Sequence, residues 1–170
     1  MGDETSVPTT APDSALARLR AQRSKLADEA HQFHVHVPRT TDPAIHVAYA
    51  PVDPGAMEEA IERRKKAAKS PTAKRNVGLL AAADVLVEHC QGIYTVDEAG
   101  KEMGLDPAAP DVWPRFTERL GELLGEETPT AVAACIALFT TKMDLIAHCN
   151  TLVVLSGGSA DAAEERFRGE

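Results

Sequence analysis

Aromatic residues are scarce in this chain: 4% of 170 residues, with a single tryptophan. Few large rings are available to a core, so Ala, Leu, Val and Ile must fill most of it. Cysteine is rarer still, three in all, and lacks the paired spacing of a disulfide framework; that usage suits a reducing cytoplasm. Positive charge is in deficit. The 18 Lys and Arg stand against 26 Asp and Glu, and the net charge of −8 argues against general affinity for nucleic acid or an anionic membrane surface. No apolar run approaches the roughly 18 residues of a membrane span. The opening MGDETSVPTTAPDS has acidic residues where a secretory leader has basic ones, and it holds no apolar stretch. Gly2 and Ser6 match a myristoylation pattern, but no basic cluster accompanies them. Signatures of catalysis are also missing: there is no GxSxG, no Walker A loop and no GxGxxG opening a helix. The fragment LSGGS follows a helical pattern where a phosphate loop would precede one. A non-enzymatic protein without cofactors is expected.

What is present is organised in short periodic blocks. Residues 1–13 are polar and Pro/Thr-rich and read as a disordered tail. A helix follows, capped by Asp13 or Ser14, with Leu16, Leu19, Leu26 and Ala30 on one face and Arg23 interrupting it; this reads as a docking helix. QFHVHVP and AIHVAYAPV alternate at period two around the turn RTTDP, the clearest hairpin in the chain, over about 32–52. Phe33, Val35 and Val37 point one way and His34 and His36 the other; Ile45, Val47 and Tyr49 share a face opposite His46. Asp53 and Pro54 read as the cap and first turn of a second helix, whose acids come early and bases late. Ser70-Pro71 punctuates, and Leu79, Leu80, Ala83, Leu86, Val87 and Cys90 mark a central buried helix. GIYTVDEAGKEMGL reads as a small second hairpin turning at Ala99-Gly100. Trp113, Phe116, Leu120, Leu123 and Leu124 form one apolar stripe, and Thr128-Pro129 begins a helix carrying Val132, Cys135, Ile136 and Phe139. Thr141 and Asp144 resemble a capping box for the last helix, which Gly157-Gly158 ends. The fold class expected is α+β, mainly helical. A single globular domain spans 14–157, its helical part about 54–157, and a flexible acidic tail occupies 158–170.

Six histidines and three cysteines invite a metal. Helical geometry places Cys90 and Cys149 at the centre of apolar faces, with His89 and His148 at the rims, and Cys135 on another apolar stripe. All three cysteines read as small core residues. His34, His36 and His46 are the better ligand candidates, but a structural zinc site wants four ligands and none completes the set; no metal is expected. RRKKAAKSPTAKR carries seven positive charges between Arg63 and Arg75. No aromatic residue interleaves them and acids precede them on the same helix, so a solvated helix end is favoured over a nucleic-acid site. Arg63, Arg64, Lys65 and Lys66 could supply the positive half of a contact in a homo-oligomer.

The last helix is apolar nearly all round. Leu145, Ile146, Cys149, Leu152 and Val153 make one arc, Val154 projects from the other side, and Leu155 lies next to His148. A helix apolar on both sides is central to a core or committed to a partner. The partner reading places Leu145, Leu152, Val153, Val154 and Leu155 on a binding surface.

The order of FHVHVPRTTDPAIHVAYAPVD, LLAAADVLVEHCQGIYTVDEAGKE, WPRFTERLGELLG and ALFTTKMDLIAHCNTLVVLSGGSADAAEERF, over roughly residues 30–168, resembles the tail assembly chaperones of long-tailed bacteriophages, especially those infecting actinobacteria. The resemblance implies the shorter product of a pair whose longer form arises by programmed frameshifting near the end of this reading frame. The implied partners are the tape measure protein, the tail tube protein and that longer form. The implied location is the host cytoplasm, with the chain absent from the mature virion. A small head–tail connector or tail terminator of the virion is the competing expectation.

Overall fold

The computed structural model describes residues 14–30 and 32–157. The tails expected over 1–13 and 158–170 lie outside these residues. The chain divides into two compact units, one ending at His31 and one beginning at Gln32, so the main globular unit starts after the first helix and not at residue 14. The first unit contains α1 (Ala15–Ala30). Ser14 caps it, its Oγ accepting from Ala17 N at 3.1 Å. Leu16 and Leu19 are about half exposed; the side chains of Leu26 and Ala30 are not among those described.

The second unit orders β1 (Phe33–His36), β2 (Ala44–Tyr49), α2 (Ala56–Ala67), α3 (Pro71–Arg75), α4 (Val77–His89), β3 (Cys90–Val96), β4 (Glu102–Gly104), α5 (Glu118–Leu123), α6 (Ala131–Leu138) and α7 (Lys142–Leu155). This is an α+β, mainly helical fold. The two expected hairpins both form, but they are not separate. β2 pairs antiparallel with β3, from Ala44 opposite Val96 to Tyr49 opposite Cys90, and one sheet of order β1-β2-β3-β4 results. The second hairpin turns where Gly100 adopts φ +79°. There Asp97 Oδ1 accepts from the backbone N of Ala99 and Lys101.

Alternation sorts the sheet into two faces. Val35, Val37, Val47, Tyr49 and Ile93 are buried on the inner face with the helices. α4 is the central helix and packs against α2, α6 and α7. Its burial is broader than the expected stripe: Ala81, Ala82 and Val85 are sealed, whereas Leu80 and Val87 lie at the margin. Three consecutive buried alanines leave room for neighbouring helices on several sides at once, which a one-faced pattern does not anticipate.

Several boundaries move. α2 begins at Ala56 with Gly55 as its cap residue; Asp53 closes the preceding turn through its carbonyl, which accepts from Ala56 N at 3.0 Å. α6 begins at Ala131, because Thr130 Oγ1 accepts from Ala133 N at 3.0 Å and Thr128-Pro129 falls before the cap. The stripe drawn through Trp113 and Leu124 is not one surface. Trp113 and Phe116 precede α5 in an irregular segment; Phe116 and Leu120 are in the core, and Leu123 and Leu124 are exposed.

Candidate functional site

α7 joins the hairpin to the helical layer. Thr141 caps it as expected, accepting from Asp144 N at 3.1 Å. The Asp144 carboxylate then takes a hydrogen bond from Arg39 Nε at 2.8 Å. Arg39 sits in the β1–β2 turn with φ +63°, a conformation uncommon for a residue with a Cβ. The Thr141 hydroxyl first, and Arg39 second, hold the Asp144 carboxyl below its usual range. Arg39 is mostly exposed, so the ion pair itself contributes little.

One turn on, His148 corrects its expected place at the rim: it is 2% exposed. Its Nδ1 faces the His36 carbonyl at 3.2 Å and its Nε2 the Tyr49 hydroxyl at 2.9 Å. A carbonyl only accepts, so Nδ1 carries the proton, and Nε2 accepts from the tyrosine. The ring also packs edge-on against Phe139, 5.0 Å between centroids. Burial pushes the His148 pKa down to about 4, so this imidazole is neutral near pH 7. Sequence position alone put it at an edge; the hairpin wraps over that edge and closes it.

The five residues expected on a partner surface divide. Leu145 and Leu152 are fully buried and Val153 nearly so; they belong to the core and are not available as a surface. Each buried side chain of this size stabilises the fold by about 1.5–3 kcal/mol. Val154 and Leu155 are exposed, 40% and 48%. Leu155 also lines a groove of about 360 Å³ between β1 and α7, with His34, Val35, His36, Pro38, Ala147, His148 and Thr151.

Arg63, Arg64 and Lys65 of the basic cluster pair within the chain. Arg64 grips the carboxylate of Asp84 on α4 through Nε at 2.6 Å and one terminal nitrogen at 2.5 Å. Arg63 donates to Glu88 at 3.1 Å, and Lys65 lies 3.5 Å from Glu62. The Arg64 and Arg63 contacts join α2 to α4, whereas Lys65–Glu62 lies within α2. Of the cations expected at an intermolecular contact, Arg63, Arg64, Lys65 and Lys66, Arg64 is drawn into the fold while Arg63 and Lys65 stay more than half exposed.

The outer face of the sheet carries rings. Tyr94 stacks on Trp113 at 4.1 Å and on His46 at 5.5 Å, and its hydroxyl lies 2.8 Å from His34 Nδ1. Trp113 reaches this place because Gly92 leaves room: a Cβ there would stand 2.8 Å from the Trp113 Cβ. His46 is half-buried; burial first, then His36 and His34, lower its pKa. Among the described residues no group of three or more His, Cys, Asp or Glu side chains could together hold a metal ion. All three cysteines are buried. Burial pushes Cys90 up to about 11 and Cys135 well above the usual thiol range, which leaves both protonated and poor nucleophiles at neutral pH.

Comparison with protein families, with curated proteins and with solved structures finds no match for this chain.

Proposed function

We propose that this chain is a non-catalytic binding protein that acts as a phage tail assembly chaperone. It covers apolar segments of the tape measure protein while tail tube subunits polymerise, in company with a longer, frameshifted form of itself. The observation that carries the reading is the end of α7. Two adjacent apolar residues, Val154 and Leu155, stay exposed at the end of a helix whose Leu145, Cys149, Leu152 and Val153 are packed and whose first turn exposes Met143 as well, beside a groove at the edge of the sheet. Such a ridge fits an apolar helical segment by weak contacts, and several copies acting along one long chain gain avidity without any contact strong enough to prevent release. The order of sequence segments described above supports the same reading. On this proposal the protein works in the host cytoplasm and is absent from finished particles.

Co-expression with the tape measure protein tests it. The double substitution V154D/L155D should leave a soluble, folded chain that no longer co-purifies with tape measure, whereas L152D should abolish folding because Leu152 is in the core. Undiminished co-purification of V154D/L155D overturns the surface. Mass spectrometry that finds the chain at ring stoichiometry in mature particles overturns the chaperone reading in favour of a connector or terminator.

A further inference from the structure

Val154 and Leu155 carry that reading; of the outer-face histidines, His36 borders the same groove and also faces His46 across β1 and β2. Val37 N donates to Ile45 O at 2.8 Å, so Val37 and Ile45 form a hydrogen-bonded pair. The neighbouring pair, His36 opposite His46, is therefore of the non-hydrogen-bonded kind, in which facing side chains come closest. Their ring centroids are 5.0 Å apart with planes at 57°. Two imidazoles bound at about 2.0–2.1 Å to one ion place each centroid ~3.2 Å from it, and angles of ~90–110° at the ion then separate the centroids by ~4.5–5.2 Å. The observed spacing lies in that interval before any ion is present.

A second observation is independent of the spacing. His36 Nε2 lies 2.7 Å from the Thr40 carbonyl, which only accepts. Nε2 therefore carries the proton, and Nδ1 keeps its lone pair. Metal-bound histidines are held in this same way, the other ring N–H donated to a backbone carbonyl. The His46 ring is set between His36 and the stacked Tyr94. His34 shares the face, but its Nδ1 is engaged with Tyr94.

We propose that His36 and His46 form an open two-histidine site for a borderline divalent transition ion of the Cu²⁺, Ni²⁺ or Zn²⁺ class. Water completes the coordination, so the ion exchanges readily, and Cu²⁺ binds most tightly of the three. Hard ions such as Mg²⁺, which prefer oxygen, do not bind. The bound ion ties β1 to β2 on the solvent side and involves no residue of the α7 ridge.

Isothermal titration of the untagged full-length chain with Ni²⁺ and with Cu²⁺ near neutral pH tests this. One ion per chain is expected, with affinity reduced about tenfold or more by His36→Gln and by His46→Gln and changed less than about twofold by His34→Gln. Thermal unfolding of the unsubstituted chain should shift upward with Ni²⁺, and that shift should vanish in His46→Gln. Circular dichroism shows whether each variant is folded; should His36→Gln disturb the turn at Thr40, His46→Gln decides alone. Absence of saturable binding below about 1 mM, or binding that survives His46→Gln unchanged, overturns the site.

Discussion

Lowering the pH from about 7 to about 4.5 should cost this fold about 2.5 kcal/mol through His148. The residue is sealed between β1, β2 and α7, and its pKa in the folded chain is about 4 against an ordinary 6.5. Because the folded value is the depressed one, the unfolded chain takes up the proton first as pH falls. The stability contributed by neutral His148 is thus fully present above pH 6.5 and is lost as pH descends through the window from 6.5 to 4. A difference of about 2.5 units, at 1.36 kcal/mol per unit, limits the total to about 3.4 kcal/mol. Of the groups around the ring, the His36 side chain on β1 also opposes the charge, while the His36 carbonyl favours it. Tyr49 on β2 supplies a hydroxyl, Cys135 on α6 and Cys90 on β3 are buried, and Asp144 on α7 itself is occupied by Arg39. The comparison to make is with His148→Gln, whose amide offers one donor for the His36 carbonyl and one acceptor for Tyr49 but does not titrate. Urea unfolding followed by circular dichroism at several pH values gives both stability profiles. The unsubstituted chain should lose about 2–3 kcal/mol more than the variant between about pH 7 and 4.5, since the carboxylates that titrate in the same range are common to both. Parallel profiles would refute the argument that burial of this imidazole sets the acid response. The loss is not large enough to strip α7 from the core, where Leu145 and Leu152 alone contribute about 1.5–3 kcal/mol each.

Other substitutions probe how the elements are joined. Arg64→Ala and Asp84→Asn should each destabilise the α2–α4 contact, and a double-mutant cycle in urea unfolding should return a coupling of about 1 kcal/mol, since the pair is bidentate and only partly exposed; additive effects would show that the two helices are held by packing alone. Gly104→Ala should destabilise by more than about 2 kcal/mol, because an added Cβ would stand 1.9 Å from the Val112 carbonyl, a backbone atom with little freedom to move. A melting temperature unchanged by that substitution would mean that the segment after β4 does not cross the sheet so closely.

Local elements were legible because their causes are local. The alternation around His34 and His36, the Gly100 turn, the Thr141 cap and the apolar run of α4 each follow from spacings of two to four residues. Starts that depend on one hydroxyl were misplaced by two residues, as at Thr130, because several nearby residues offer the same chemistry. The candidate surface was legible only in part. The single helical turn around Val153 places Val154 opposite Leu152 correctly, but nothing in that turn says which side the rest of the chain will cover.

By itself, then, the amino-acid order determined which segments coil and which extend, and which side of each is apolar. Tertiary structure decided what those sides meet. β2 finds β3 across α2, α3 and α4, about forty residues away, merging two hairpins into one sheet. That merger brings Tyr94 beside His46 and sets Trp113 over Gly92. The hairpin also closes over α7, converting His148 from an edge residue into a buried hydrogen-bonded link, and Leu145, Leu152 and Val153 from surface candidates into core. Such pairings depend on contacts between residues far apart in the chain, where the gain from burial must exceed the entropy of closing a long loop; periodicity within a helix or strand carries no record of that competition.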